Sequence, residues 1–276
     1  IRDERPAEAE LLLQAACECS NEEQDHFIYD SIGIFMDYML WDYAESWCMR
    51  LKHISPKYKG LPEIEAEIKM CTGDYDSAID ILNGILDINS YNSQAWNMLA
   101  ESYFSKGTFE EAIEACQFAL AINEDDFKAI STLADCYYHT SSFSKAHEYY
   151  EKALMMRQDD ALYHMDAVSL FQMGEFEQAL VQLKKAREII EDDPEKEIYV
   201  AMQLATVASK LHLFDEAMSY LKRVKSLIRD KRGLIDYEVL YGQVMLENGF
   251  ADKAREHFEN ALTKCEDTDK AVLVIG

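Results

Sequence analysis

The sequence repeats itself about every 34 residues. When it is aligned on one recurring alanine, successive alanines are separated by 34, 34, 34, 33, 38 and 37 residues. Most periods also have an aromatic residue three positions before the alanine, a glycine five positions before it and a small or aliphatic residue twelve positions before it. The alanines are Ala44, Ala78, Ala112, Ala146, Ala179, Ala217 and Ala254. A fixed period of this length predicts a repeat architecture.

Each period contains two amphipathic helical patterns. In one period, Trp96, Leu99 and Tyr103 form an apolar stripe with helical spacing, and a second stripe begins at Phe109. Gly107 lies between them, where the first helix is expected to end in a left-handed residue. The turns between paired helices are predicted at Met39, Gly73, Gly107, Ser141, Gly174, His212 and Gly249. Because one helix pair cannot bury its own apolar face, successive pairs are expected to stack into an all-α solenoid.

This pattern resembles the tetratricopeptide repeat. The resemblance is given by Trp96, Leu99, Ala100, Tyr103, Gly107, Phe109, Ala112, Cys116 and Ala119. It implies a right-handed superhelical solenoid of about seven helix-turn-helix repeats. The repeats are placed at 25–58, 59–92, 93–126, 127–159, 160–193, 198–231 and 235–268. Residues 1–24 are expected to form an N-terminal capping helix or a partial repeat, and 269–276 the start of an eighth repeat or a C-terminal cap.

Two irregularities interrupt the period. Short insertions occur around Pro194 and Gly233, and we expect them to lengthen the connections between neighbouring repeats. Pro62 lies at a predicted helix start, where its missing N–H has no cost.

The resemblance also implies a ligand-binding groove formed by the first helix of each repeat. The residues it places there include acidic and aromatic side chains. They are Tyr29, Glu63, Glu67, Asn97, Glu101, Phe104, Lys128, Asp135, Tyr138, His139, His164, Phe171 and Met202. Aromatic residues provide contact area and carboxylates select cationic partners, so a basic or amphipathic peptide segment is the expected ligand. The alternative left open is that the charges form a solvated helix face and the aromatic residues belong partly to the core.

One ligand class is disfavoured at these positions. Relatives that bind the acidic C-terminal tails of chaperones use a clamp of Lys, Asn and Arg side chains. The corresponding positions here hold Glu63, Glu67, Met98, Lys128 and Thr132, and only Lys128 fits. The groove is therefore not expected to bind an acidic tail.

Charge and cysteine usage restrict the partners further. The chain has 52 Asp and Glu against 27 Lys and Arg, a formal net charge of −25, which argues against a nucleic-acid partner. No apolar run reaches the length of a membrane span. The seven cysteines are scattered without paired C-x-x-C spacing, which suggests reduced thiols and a cytoplasmic protein. The chain does not begin with Met, so export of a longer precursor stays open.

Residue patterns that would indicate chemistry are missing from the sequence. There is no P-loop, G-x-S-x-G, G-x-G-x-x-G or H-E-x-x-H motif, and the seven histidines show no metal-ligand spacing. We therefore expect no catalytic residue, metal or cofactor. The leading hypothesis is a non-enzymatic scaffold that binds a protein or peptide. Two alternatives are a recognition module of a larger multidomain enzyme, regulator or sensor, and a structural protein that self-assembles or dimerises through its end repeats.

Overall fold

A computed structural model describes residues 6–19 and 24–265, and these residues form fifteen α-helices. The expected eighth repeat or cap at 269–276 lies outside the described residues. The first eight helices are α1 (Pro6–Cys19), α2 (Gln24–Asp37), α3 (Trp41–Ile54), α4 (Leu61–Cys71), α5 (Tyr75–Ile88), α6 (Ser93–Lys106), α7 (Phe109–Ile122) and α8 (Phe127–His139). The others are α9 (Phe143–Met156), α10 (Asp160–Met173), α11 (Phe176–Ile189), α12 (Pro194–Lys210), α13 (Phe214–Leu227), α14 (Lys231–Glu247) and α15 (Ala251–Lys264).

From α2 onward the helices form seven pairs, and the turn within every pair contains a residue with positive φ. These residues are the seven predicted from the sequence, so the predicted turns are confirmed. Four are glycines with φ between 80° and 84°: Gly73, Gly107, Gly174 and Gly249. The other three have φ between 56° and 58°: Met39, Ser141 and His212. Local backbone geometry thus requires a left-handed residue at each turn even where the sequence does not provide glycine.

The alanine column lies where the helices approach each other most closely. Each of the seven alanines is at most 1% exposed. The aligned small residues on the first helices are equally buried, for example Ala66, Ala100 and Ala205. A larger side chain at these positions would separate two helix backbones, which explains why the column holds small residues.

The chain divides into two compact units, residues 1–136 and 137–276, with the boundary inside α8. In the first unit, helices α2 to α6 each pack against the next helix in the chain. Its N-terminal core contains Ile32, Phe35, Trp47 and Leu51. Stacking of successive pairs therefore buries a core that no single pair could form.

In the second unit, helices α9 to α15 likewise pack in chain order, and the first helices α12 and α14 also touch. Its core includes Leu183, Leu204, Leu221 and Val244. The second unit thus shows the same arrangement of stacked pairs as the first.

The two insertions lengthen helices, so the expectation of longer connections is wrong. Helices α12 and α14 have 17 residues each, whereas the first helices α6 and α10 have 14. Asp193 accepts the N–H groups of Glu195 and Lys196, and Asp230 accepts that of Gly233. These N-caps start both helices early and absorb the additional residues as one more turn.

Candidate functional site

A cavity of about 250 Å³ in the first unit brings together four of the predicted groove residues. Glu67 contributes from α4, Asn97 and Glu101 from α6, and Lys128 from α8. The remaining lining residues are Met70, Ser93, Gln94, Met98 and Asp126. We call this the Asn97 cavity. The walls are therefore provided by three consecutive first helices, α4, α6 and α8, and by Asp126, which directly precedes α8.

Asp126 organises one side of the Asn97 cavity. Its Oδ2 accepts hydrogen bonds from Nδ2 of Asn97 at 2.8 Å and from Oγ of Ser93 at 3.0 Å. Its Oδ1 accepts the backbone N–H groups of Lys128 and Ala129 at the start of α8. Burial raises the pKa of Asp126, but these hydrogen bonds outweigh it and hold the pKa below its ordinary value. Asp126 is therefore a carboxylate at neutral pH.

Asn97 has an unmatched hydrogen-bond acceptor. Its side chain is only 8% exposed, and no donor among the described residues reaches its Oδ1. The amide orientation is determined because a carboxylate can only accept, so the atom facing Asp126 must be the amide nitrogen. A buried carbonyl oxygen without a donor is destabilising by about 1–3 kcal/mol, which a ligand donor would recover.

Among the other charged residues of the Asn97 cavity, Lys128 and Glu101 form an ion pair and Glu67 does not. Nζ of Lys128 lies 2.9 Å from Oε2 of Glu101, and both side chains are partly exposed. Glu67 is exposed and makes no ion pair within residues 6–19 and 24–265. Three carboxylates and one ammonium group thus line the cavity, which gives it an excess of negative charge.

Tyr29, Glu63 and Asp135 are also predicted groove residues of the first unit, but they lie outside this cavity. The Tyr29 ring contacts Tyr58 with centroids 5.0 Å apart, and Tyr29 packs against the N-terminal core. Glu63 is half-buried on α4, and Asp135 is half-buried on α8. The structure therefore does not gather them with Asn97.

The aromatic groove residues pack at the elbows of their own helix pairs. Phe104 contacts Phe109 in the first unit, with centroids 5.6 Å apart. In the second unit Tyr138 contacts Phe143 at 5.7 Å, and Phe171 contacts Phe176 at 5.2 Å. Each pair joins the end of a first helix to the start of the second. Replacing one of these rings would therefore disturb the turn as well as any ligand contact.

The remaining predicted residues lie in the second unit. His139 is exposed at the end of α8, and Met202 packs against the core. His164 is buried beside Tyr199, with ring centroids 4.8 Å apart, and no donor or acceptor among the described residues reaches its Nε2. Burial lowers the pKa of His164, so its ring is neutral at physiological pH.

Sequence reasoning missed two carboxylates, Asp126 and Asp166, that accept hydrogen bonds from several side chains. Asp126 falls outside the groove positions, although an aspartate directly before the first residue of a helix, here Phe127 of α8, is typical of a helix cap. In the second unit, Asp166 is fully buried and accepts bonds from Nδ1 of His147 at 2.6 Å and Nε2 of Gln182 at 2.7 Å. Burial raises the pKa of Asp166, and the hydrogen bonds from His147 and Gln182 oppose this only in part.

The described part of the chain contains neither a candidate metal site nor a candidate membrane-spanning helix. No cluster of three or more His, Cys, Asp or Glu residues there could hold a metal ion. No helix there has both the length and the apolar character needed to cross a membrane.

Comparisons with known proteins match this geometry. Two family models described as tetratricopeptide repeat match residues 66–127 and 103–165, which include most of the Asn97 cavity. A search of curated proteins gave no match.

Among solved structures, a tetratricopeptide repeat protein from Parabacteroides merdae is 15% identical with a TM-score of 0.62, over 90% of this chain and 95% of the other. YrrB, described as a TPR protein with an unusual peptide-binding site, is 20% identical with a TM-score of 0.56, over 70% of this chain and 95% of YrrB. A thermophilic TPR protein from Thermus thermophilus is 17% identical with a TM-score of 0.53, over 64% and 97%. At these identities the similarity shows the fold.

Proposed function

Because this chain is a tetratricopeptide repeat protein, we propose that it is a non-enzymatic scaffold that binds a basic or amphipathic peptide segment of a partner protein. The binding surface is the face formed by the first helices of the pairs. Its central element in the first unit is the Asn97 cavity.

The observation that supports this proposal is the charge of that cavity. Glu67, Glu101 and Asp126 line the cavity together with a single cationic side chain, that of Lys128, which pairs with Glu101. A cationic peptide gains from this field on approach and on binding, whereas an acidic peptide is repelled. The cavity is also open between successive helices, so an extended segment can lie across α4, α6 and α8.

Two further observations agree with a peptide-binding scaffold. YrrB, which shares the fold, is described as having a peptide-binding site. Cys48 and Cys116 are buried thiols, and burial raises the pKa of Cys48 to about 11, so it is an inert protonated thiol. Cys48, Cys71, Cys116 and Cys265 are free thiols in the described part of the chain, which supports our proposal that the scaffold is cytoplasmic.

Fluorescence anisotropy with two labelled peptides tests the proposal. One peptide alternates lysine with alanine and the other alternates glutamate with alanine. We expect the lysine peptide to bind and its affinity to fall as salt rises, because exposed charges are screened over about 8–10 Å at physiological ionic strength. We expect the glutamate peptide not to bind.

Two isosteric variants locate the surface. Glu101→Gln should weaken binding of the lysine peptide by about 1 kcal/mol at low salt. Glu114→Gln removes the same charge from an exposed position on α7, the second helix of the same pair, and should have a much smaller effect. Preferential binding of the glutamate peptide, or equal effects of the two variants, would contradict the proposal.

A further inference from the structure

The Asn97 cavity combines an apolar wall with several hydrogen-bond acceptors. Met70 and Met98 line it, and Met98 is almost completely buried. The carboxylates of Glu67 and Glu101 offer acceptors, and Asn97, which also lines the cavity, has an unmatched but buried Oδ1. A flexible thioether wall suits an alkyl chain, and acceptors suit the charged group at its end.

This combination selects among the groups that a peptide could present. A carboxylate would be repelled and could not donate to Asn97. A purely apolar side chain would leave the buried oxygen of Asn97 without a donor. A lysine side chain has both required parts, because its four methylene groups can lie on the methionines while its ammonium donates up to three hydrogen bonds.

Lys128 already presents such a group to the cavity. Its ammonium binds Glu101 at 2.9 Å, while its side chain remains about half exposed. An ion pair between exposed side chains is weak, so Lys128 can leave at little cost. An incoming lysine that displaces it can bind Glu101 and also provide the donor that Asn97 lacks.

We propose that the Asn97 cavity is a lysine-binding subsite and that Lys128 is an internal competitor for it. The proposal rests on the peptide-binding function proposed above and names the side chain that the site selects. Binding is then an exchange in which the ligand's ammonium replaces that of Lys128 on Glu101.

The exchange is tested with the variant Lys128→Met, which keeps most of the unbranched apolar side chain and removes its charge. We expect it to bind the labelled lysine–alanine peptide about threefold more tightly than the parent. Lys106→Met is the matched control, because Lys106 pairs with Asp76 and does not line the cavity. It removes the same charge and should change the affinity much less.

A small probe tests the subsite without any peptide. n-Butylammonium chloride reproduces the end of a lysine side chain, and n-butanol is its neutral counterpart. We expect butylammonium, and not butanol, to shift the side-chain amide resonance of Asn97 in a saturable titration. The apparent affinity should rise in Lys128→Met and fall in Glu101→Gln.

The outcomes separate the two proposals. If the lysine peptide does not bind, the proposed function is wrong, and the butylammonium titration decides the subsite by itself. If the peptide binds but Lys128→Met weakens it, or Lys106→Met tightens it equally, the competitor role of Lys128 is overturned while peptide binding stands. If butylammonium leaves Asn97 unshifted or butanol shifts it equally, the lysine subsite is overturned.

Discussion

The same substitution, glycine to alanine, should have opposite effects at two positions of this chain. Gly107 ends α6 with φ 84°, and the turn is closed by hydrogen bonds from the N–H of Gly107 to Phe104 and from that of Thr108 to Tyr103. Gly84 lies within α5, where positive φ is not required. At both positions an added Cβ would meet no atom within 4 Å. Any effect on stability therefore comes from the backbone alone.

The expected magnitudes follow from these conformations. An L-residue in the left-handed region costs about 1–2 kcal/mol, and the lower entropy of unfolded alanine returns about 0.4–1 kcal/mol. Gly107→Ala should therefore lower the free energy of unfolding by about 1 kcal/mol. Gly84→Ala should raise it by about 0.5–1 kcal/mol, because alanine is the better helix former.

Urea unfolding followed by far-ultraviolet circular dichroism measures both variants against the parent. Ser141→Gly provides the reverse test, since Ser141 has φ 58° without being glycine, and it should stabilise the chain modestly. Shifts of the same sign in Gly107→Ala and Gly84→Ala would refute the argument that the turn requires a left-handed residue.

Packing and protonation lead to three other expectations. Gly242→Ala should lower the free energy of unfolding by about 1–3 kcal/mol, because its Cβ would lie 2.6 Å from Cε1 of Phe258; Phe258→Leu in the same chain should recover part of the loss in urea unfolding, and no loss in the single variant would contradict the clash. Because burial lowers the pKa of His164, the contribution of this residue to stability is complete above pH 6.5 and declines below that value, where the unfolded chain takes up the proton first. His164→Phe should remove this part of the pH dependence in thermal melts. An unchanged pH profile in the variant would exclude His164 as its source. Asp126 is an acid whose pKa is lowered in the folded chain, so its contribution to stability is present above pH 3.8 and is lost as the pH falls through the lowered pKa. Asp126→Asn should be less stable than the parent at neutral pH and equally stable in strong acid. Acid titration followed by circular dichroism measures this difference.

Much of the fold could be predicted because its determinants are local. The positions of the turns follow from a period that any window of the sequence contains. That period located Met39, Ser141 and His212 although none is a glycine. The buried alanine column was predictable for the same reason, since only small residues allow two helices to cross closely.

The candidate site was predictable only in part. The resemblance to the tetratricopeptide repeat placed Asn97, Glu101 and Lys128 in one groove, and the structure does bring them to one cavity. Register could not show that the rings of Tyr138 and Phe171 turn toward Phe143 and Phe176, because ring orientation depends on the packing of the elbow.

Residue patterns were enough to specify a chain of stacked helix pairs, their turns and the small residues at their crossings. These features depend on contacts between residues close in sequence, which repeat in every period. The additional residues near Pro194 and Gly233 extend helices because Asp193 and Asp230 cap them, a local signal that the repeat period does not contain. Only the tertiary structure joined Asp126 to Asn97, because 29 residues separate them and the bond forms only when α6 and α7 fold back to bring the start of α8 beside α6. The hydrogen bond from Asn97 to Asp126 leaves Oδ1 of Asn97 without a donor among the described residues, and the repeat period of the sequence could not predict this.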